Sequence, residues 1–471
     1  MHLLPSSFPV RAVDQRGLVA VHVDAKSQTI TLIARGEVGD DVLTLQTRQR
    51  SFEIPLRIAL NAGTIPARAT LRVTGNPLDS TWLGQQVQAL LGRVILVAPG
   101  ARETLGLPAS QPTPPPPGGS ASIAFPVRIE GDARMFAVHR TTVVEIRNLA
   151  LAPFAPPLLY YDDDPEQIHG DGRLFSQPVS DAQPIRLYSY HQNGLTPRNF
   201  VVTLQSYESQ PVRVQLIAAA AGPSGDVMSV GHATTRDFLV RKPINEGRVA
   251  TLEPGIPYIV HEDALRARDA VADTLDIRVL TPKAHVQLTT MAISPTTNLV
   301  DGLAQAFLPP DGKARTGIFT IAQFSDNVRT YSVGGPDAVV EYGTRQNPPP
   351  LATPATHGRD LGDYGVLRTI VMMLINPLST PSNVYLYEKP LGGIARSSFL
   401  VDGTLVQVGC VRLPHKYLIT PFVLAPKMTY RLVLKTMTDG GSNYPLLVGV
   451  GSEVPRNHAP AVRAPDGCFP K

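Results

Sequence analysis

Five carboxylates fall within ten residues in the stretch Tyr160-Tyr-Asp-Asp-Asp-Pro-Glu-Gln-Ile-His-Gly-Asp-Gly172: Asp162, Asp163, Asp164, Glu166 and Asp171. Hard cations such as calcium take several oxygen ligands from a flexible loop, and the glycines here can turn the backbone. A calcium site is one reading of this stretch; a solvated surface loop is the other. The spacing does not follow the EF-hand rule, and three adjacent carboxylates cannot face one ion without turns between them.

Histidines offer a second chemistry. The chain has eleven, none in a His-Glu-x-x-His pattern and none at the Cys/His spacing of zinc sites. His191 adjoins the turn Gln192-Asn-Gly194, and His232 lies in Ser229-Val-Gly-His-Ala233. Loops gathered at one end of a β fold would bring both to His169. Nucleophilic catalysis has no framework: there is no Gly-x-Ser-x-Gly elbow, phosphate loop or dinucleotide fingerprint, and Gly222-Pro-Ser-Gly-Asp226 reads as a tight turn. No catalytic residue is assigned.

Tyr160, Tyr161, Tyr188, Tyr190 and Tyr207 cluster in the same region. An exposed tyrosine strip beside Asp and Asn suits sugar binding, whereas cross-strand packing explains the same rings with no ligand at all. Packing is the reading favoured. Tyr160, Tyr161 and Tyr190 with His169, His191 and His232 form the candidate ligand-binding set. Cys410 and Cys468 either form one bridge tying the C-terminal tail to a strand or remain a buried and a loose thiol.

The elements that must position these residues read as short strands. Ile185–Tyr190, Phe200-Val-Val-Thr-Leu-Gln-Ser206 and Val212-Arg-Val-Gln-Leu-Ile217 alternate apolar and polar residues between turn signals, as a half-buried meander requires. Leu18–Val23, Thr29–Ala34, Val42–Thr47, Phe52–Ile58 and Ala69–Val73 continue this pattern nearer the N-terminus. Arg236–Val240 and Gly247–Leu252 extend it beyond the meander. One segment, Asp79–Leu91, is helical instead: Leu83, Val87, Leu90 and Leu91 share a face, Asp79 or Ser80 can cap it, and Trp82 can anchor it. The 45 Pro and 38 Gly are spread out as turn punctuation, which suits many short strands and opposes long helices.

The fold class expected is all-β: tandem antiparallel β-sandwich domains, immunoglobulin-like or jelly-roll-like. The chain divides into residues 1–106 (a small β-sandwich with one helix), the Pro-rich linker 107–121, β-sandwiches 122–295 and 296–455, and an irregular tail 456–471. Four consecutive prolines followed by Gly-Gly-Ser mark the linker. Residues 200–217 match 369–388, and 252–260 match 424–433, in the same order, which reads as a duplication of one sandwich.

Composition narrows the function. The formal charge is only +4 and the basic residues form no run, which argues against a nucleic-acid groove. No apolar run reaches the roughly 18 residues of a membrane span. The sequence from Met1 to Pro9 lacks the basic and apolar regions of a secretory leader, so export by that route is not expected unless a leader has been removed.

The segments Tyr190-His-Gln-Asn-Gly194, Arg198-Asn-Phe-Val-Val-Thr-Leu204, Pro211-Val-Arg-Val214, Ala221-Gly-Pro-Ser224 and Val230-Gly-His-Ala-Thr234 resemble a pattern in poorly characterised exported bacterial proteins. Some of those carry copper-amine-oxidase-like N-terminal domains used as envelope modules. The resemblance spans about residues 185–240 and implies a bacterial surface or envelope β-module, extracytoplasmic in location, with no catalytic residues to carry over. The function expected is a non-catalytic structural or adhesive component of a cell envelope, filament or particle, working through protein partners or self-assembly. The alternatives are a carbohydrate-binding protein and a hydrolase whose site is formed by loops. No cofactor is expected beyond calcium in the acidic stretch.

Overall fold

The computed structural model describes residues 11–24, 26–108, 113–344, 358–458 and Cys468. The chain is predominantly β-strand and builds several multi-stranded sheets. Two compact units form: residues 1–71 with 78–148, and residues 72–77 with 149–471.

The first unit contains a sheet of Arg11–Asp14, Gly39–Gln46 and Ser51–Ile58, and a hairpin of Val19–Asp24 with Thr29–Ala34. Arg102–Leu105, Ser120–Glu130 and Val138–Asn148 also lie side by side here. The helix is Ser80–Val94, capped by the Asp79 carboxylate, which accepts from the Trp82 backbone N–H at 2.7 Å. Trp82, Leu83, Val87 and Leu91 are its buried stripe. The Pro-rich segment does not separate domains. Leu105 before it pairs with Val127 after it, and the Asn148 amide donates to the Pro115 carbonyl at 2.8 Å, so 107–121 is a connection inside one unit. The physical reason is that the strands on both sides complete one sheet, which an extended proline run can span as readily as it spaces domains.

The second unit holds two sets of facing sheets. In the first set the larger sheet runs Gly247–Leu252, Val212–Ser224, Ala270–Val279, Ile185–Asn193, Leu158–Asp162, Thr316–Phe319. The smaller one runs Gly172–Ser180, His285–Ile293, Arg198–Ser206, Tyr258–Leu265. Residues of both sheets, among them Leu187, Leu216 and Leu275 from one and Phe175, Phe200 and Leu288 from the other, form one hydrophobic cluster. Burying each such side chain contributes about 1.5–3 kcal/mol.

The second set repeats this plan except for Thr316–Phe319, which has no counterpart there. Thr404–Val411, Ala395–Val401, Thr429–Thr436 and Leu367–Ile375 form one sheet, with Gln323–Ser325 and Arg329–Ser332 parallel to the last of these. The other sheet is Ala338–Tyr342, Leu446–Gly451, Ser382–Pro390, Tyr417–Leu424. Leu158–Asp162 is likewise parallel to Ile185–Asn193, so neither large sheet is purely antiparallel.

Two markers fix the correspondence. A register shift falls between Val202 and Thr203 in one set and between Leu386 and Tyr387 in the other. The Asn193 amide donates to the carbonyls of Thr196 and Arg266, and the Asn376 amide to those of Thr380 and Ala425. The match read from sequence is therefore displaced by one strand: Arg198–Ser206 occupies the place of Ser382–Pro390. The second set also begins later than residue 296, because Thr316–Phe319 pairs with Leu158–Asp162 of the first. The Asn347–His357 loop and most of the 456–471 tail lie outside the described residues.

The longest element without a counterpart in the second set is a helix. Val227–Arg241 is a helix where a strand over Arg236–Val240 was expected. Asp226 caps it, accepting from the Ser229 N–H at 3.0 Å, and Val230, Thr234 and Phe238 fall on a helical face. It packs against the second set: a Cβ at Gly231 would stand 2.1 Å from the Gly440 carbonyl oxygen.

Candidate functional site

The acidic stretch is solvated only in its second half, where His169 and Asp171 are exposed and Glu166 is half-buried. Asp162, Asp163 and Asp164 are buried, because Leu158–Asp162 is an inner strand of the larger sheet. Asp162 Oδ2 accepts from Ser189 Oγ at 3.1 Å and Thr290 Oγ1 at 2.6 Å, and Oδ1 lies 3.3 Å from His191 Nε2. His191 Nδ1 stands 2.9 Å from the Pro165 carbonyl; a carbonyl can only accept, so that nitrogen carries a proton. Burial is the strongest single influence and would lower the imidazole pKa, but the Asp162 charge and hydrogen bond, the Asp163 charge and the Pro165 carbonyl together raise it, which favours an imidazolium.

The neighbouring acids have other partners. Asp163 accepts from the Tyr161 hydroxyl at 3.0 Å, and burial pushes its carboxyl well above the usual range. Asp164 accepts from the Asp311 backbone N–H at 2.7 Å, and burial raises it too. Glu166 pairs with Arg315 at 2.7 Å and Asp171 with Arg198 at 2.8 Å. Among the described residues no group of three His, Cys, Asp or Glu side chains is placed to hold a metal ion.

The polar cluster around Asp162 continues across the core. Asp273, opposite Ser189 on the next strand, contacts His261 Nδ1 at 2.8 Å, and His261 Nε2 lies 3.2 Å from Asp263. Burial opposes charge on this ring as well, but the two carboxylates push its pKa up to about 10.

The three candidate histidines keep separate company. His169 is exposed, His191 sits in the core of the first set, and His232 lies where the helix meets the second set. His232 Nδ1 is 2.6 Å from Asp439 Oδ2 and 3.4 Å from Ser398 Oγ, while Nε2 faces Gln407 at 3.1 Å. A Ser-His-Asp hydrolase needs the hydroxyl and the carboxylate on opposite ring nitrogens. Here both crowd Nδ1, so this trio cannot pass a proton from serine to histidine with aspartate support.

The tyrosines are interior. Tyr160, Tyr161, Tyr188 and Tyr190 are buried, and Tyr161, Tyr188 and Tyr364 stack with ring centroids 5.8–6.5 Å apart. Tyr207 alone of the five is well exposed, at 73%. Cys410 and Cys468 are joined in a disulfide with their Cα atoms 5.4 Å apart.

Four charged residues, three buried and one half-buried, were not singled out from sequence. Arg186, fully buried, pairs with Asp276 at 2.7 Å and donates to the carbonyls of Ala322 and Gly365, so it ties the two sets together. Lys242 joins the same carboxylate at 2.5 Å. Glu388 is fully buried in the second set beside Ser397 and Tyr342, and burial pushes its pKa up to about 8. Alternation in Ile185–Tyr190 puts Arg186 on the polar face, and only the pairing of that strand on both sides shows that this face is buried too.

No family model matches the chain, and no curated protein does. The resemblance over residues 185–240 is therefore not tied to a family. Solved structures with some similarity include tripeptidyl peptidase 2, at 7% identity and a TM-score of 0.17, covering 76% of this chain and 30% of that one. The chain thus spans under a third of that protein's length. The PBSX exported protein XepA aligns at 8% identity and a TM-score of 0.14, covering 60% of this chain and 87% of that one. The CBM22-1–CBM22-2 tandem domain of Paenibacillus barcinonensis Xyn10C aligns at 7% identity and a TM-score of 0.12, covering 68% and 95%. Scores this low assign neither fold nor function.

Proposed function

We propose that the chain is a non-catalytic structural or adhesive component of a cell envelope, filament or particle, acting through protein–protein contacts. Its two facing-sheet sets are read as tandem β-sandwiches of immunoglobulin-like or jelly-roll-like kind. One observation supports this most: the residues able to do chemistry are consumed in internal ion pairs and hydrogen bonds, from Asp162 with His191 to His232 with Asp439. Groups held this way rigidify a scaffold and are poorly placed to meet a substrate. A sugar-binding strip would need exposed rings, and four of the five clustered tyrosines are inside. The disulfide fits an oxidising, extracytoplasmic setting.

Fractionation of the native host by size tests this reading. The component reading expects the protein in envelope, filament or particle fractions, far above its own 50.7 kDa. Recovery as a free chain of that mass with hydrolytic activity would overturn it.

A further inference from the structure

The hairpin Val19–Asp24/Thr29–Ala34 is a two-stranded sheet, and its second strand is exposed at five of six positions. Ile33 is 60% exposed and Leu32 39%. The backbone hydrogen bond from Arg35 N–H to the Leu18 carbonyl, at 3.0 Å, sets the phase of the ladder. In an antiparallel pair alternate residues turn both backbone groups toward the partner strand. Thr29, Thr31 and Ile33 therefore face Val19–Asp24, and Ile30, Leu32 and Ala34 direct their N–H and C=O groups to the outer edge. Among the described residues no strand pairs with that edge.

Four other outer strands are blunted. Tyr258–Leu265 carries His261, Glu262 and Asp263; Tyr417–Leu424 carries Pro421; and Ser51–Ile58 carries Glu53, Pro55 and Arg57. On Thr404–Val411 the Gly409 N–H is taken by His458. Charges, prolines and coverings are the usual protections of a sheet edge. Thr29-Ile-Thr-Leu-Ile-Ala34 has none of them.

We propose that this edge pairs with the same strand of a second copy of the chain, antiparallel about a two-fold axis at Leu32. That register sets Leu32 against Leu32 of the second copy and Ile30 against its Ala34. All three outward N–H groups and all three outward C=O groups are then bonded. Antiparallel self-pairing also lays the head of each strand beside the tail of the other. Exposed Lys26 precedes the strand, and exposed Arg35 and Glu37 follow it, so each copy's Lys26 comes toward the Glu37 of the other. The interface is isologous and closes as a dimer.

This inference rests on the contact-mediating reading above and names one partner for it. The test is the mass of the purified full chain by light scattering across concentration, for wild type, Leu32→Lys and Leu32→Asp. Like charges would stand directly opposite in either variant's dimer. The expected result is a concentration-dependent doubling of the 50.7 kDa mass in wild type, its loss in each variant alone, and its return when the two variants are mixed. Leu32→Cys should also form an intermolecular disulfide under mild oxidation. A wild-type chain that stays monomeric, or variants that associate as wild type does, would overturn self-pairing. Host fractionation would still decide the broader reading separately, since a component held by other proteins sediments with them even if it never self-pairs.

Discussion

The two facing-sheet sets of the second unit share a strand plan but fill both ends of the core differently. Aligned by the register shift and the anchoring asparagines, the places of Ser189, His191, Asp273 and Thr290 in the first set are taken by Met372, Leu374, Leu432 and Val450 in the second. All four replacements are fully buried members of that set's hydrophobic cluster. The fold therefore does not require the acid–imidazole network. At the opposite end the exchange reverses: Leu204 and Val214 of the first set correspond to Glu388 and Ser397 of the second. Each set carries one buried polar cluster that its counterpart packs with hydrocarbon. Buried ion pairs are commonly no more stabilising than apolar residues of similar volume, and removing one partner is the costly step.

The largest effect expected follows from that asymmetry. His191→Leu alone strands the Asp162 carboxylate and should cost about 3–5 kcal/mol of unfolding free energy. Adding Asp162→Leu, Ser189→Met and Thr290→Val should recover most of it, because the first set then approaches the packing of the second. Denaturant titration of single and combined variants checks this. An equal loss in both would mean the network supports this core in a way its counterpart does not need.

Glu388→Leu copies the first set into the second and should stabilise by about 1–4 kcal/mol near pH 8. The sign follows from linkage. The folded carboxyl titrates near 8 against an ordinary 4.5, so the unfolded chain ionises first and stability falls as pH rises from about 4.5 to 8. The variant should lose that slope, which thermal unfolding across pH would show. His261 in the first set acts over a higher window. Its contribution is complete below about 6.5 and is lost as pH rises through about 10.

The helix sharpens the comparison because the second set has only the Asp402-Gly403 turn at that place. Gly231→Ala forces a methyl onto the Gly440 carbonyl and should cost about 1–3 kcal/mol by overpacking. Smallest of all should be the difference between Asn193→Ala and Asn376→Ala. Both remove the same carbonyl anchor, so each should cost about 1–3 kcal/mol and the two should agree.

Much of the architecture was legible locally. The helix at Ser80–Val94 could be read with its cap and buried stripe, since Asp79, Leu83 and Val87 act within a few turns of one another. The second helix could not, because its apolar stripe is interrupted by Gly231, His232 and Thr234. Gly231 and His232 face the second set, and Thr234 spends its hydroxyl on the Val230 and Ala272 carbonyls, so none of the three meets a plain hydrocarbon core. The duplication was visible as a recurring hairpin, yet placed one strand off, because consecutive hairpins of similar composition are interchangeable until pairing is known.

Sequence alone determined what depends on neighbours: period-2 alternation, turn residues and one helix cap, hence an all-β chain with one short helix. Tertiary structure alone decided which groups are buried and with whom. Asp162 meets Thr290 across 128 positions and His232 meets Asp439 across 207, and no local pattern encodes such a meeting. A carboxylate in a run of three reads as solvated or metal-bound. Only the partner strands show that the Asp162 charge is met by an imidazole and two hydroxyls inside the fold.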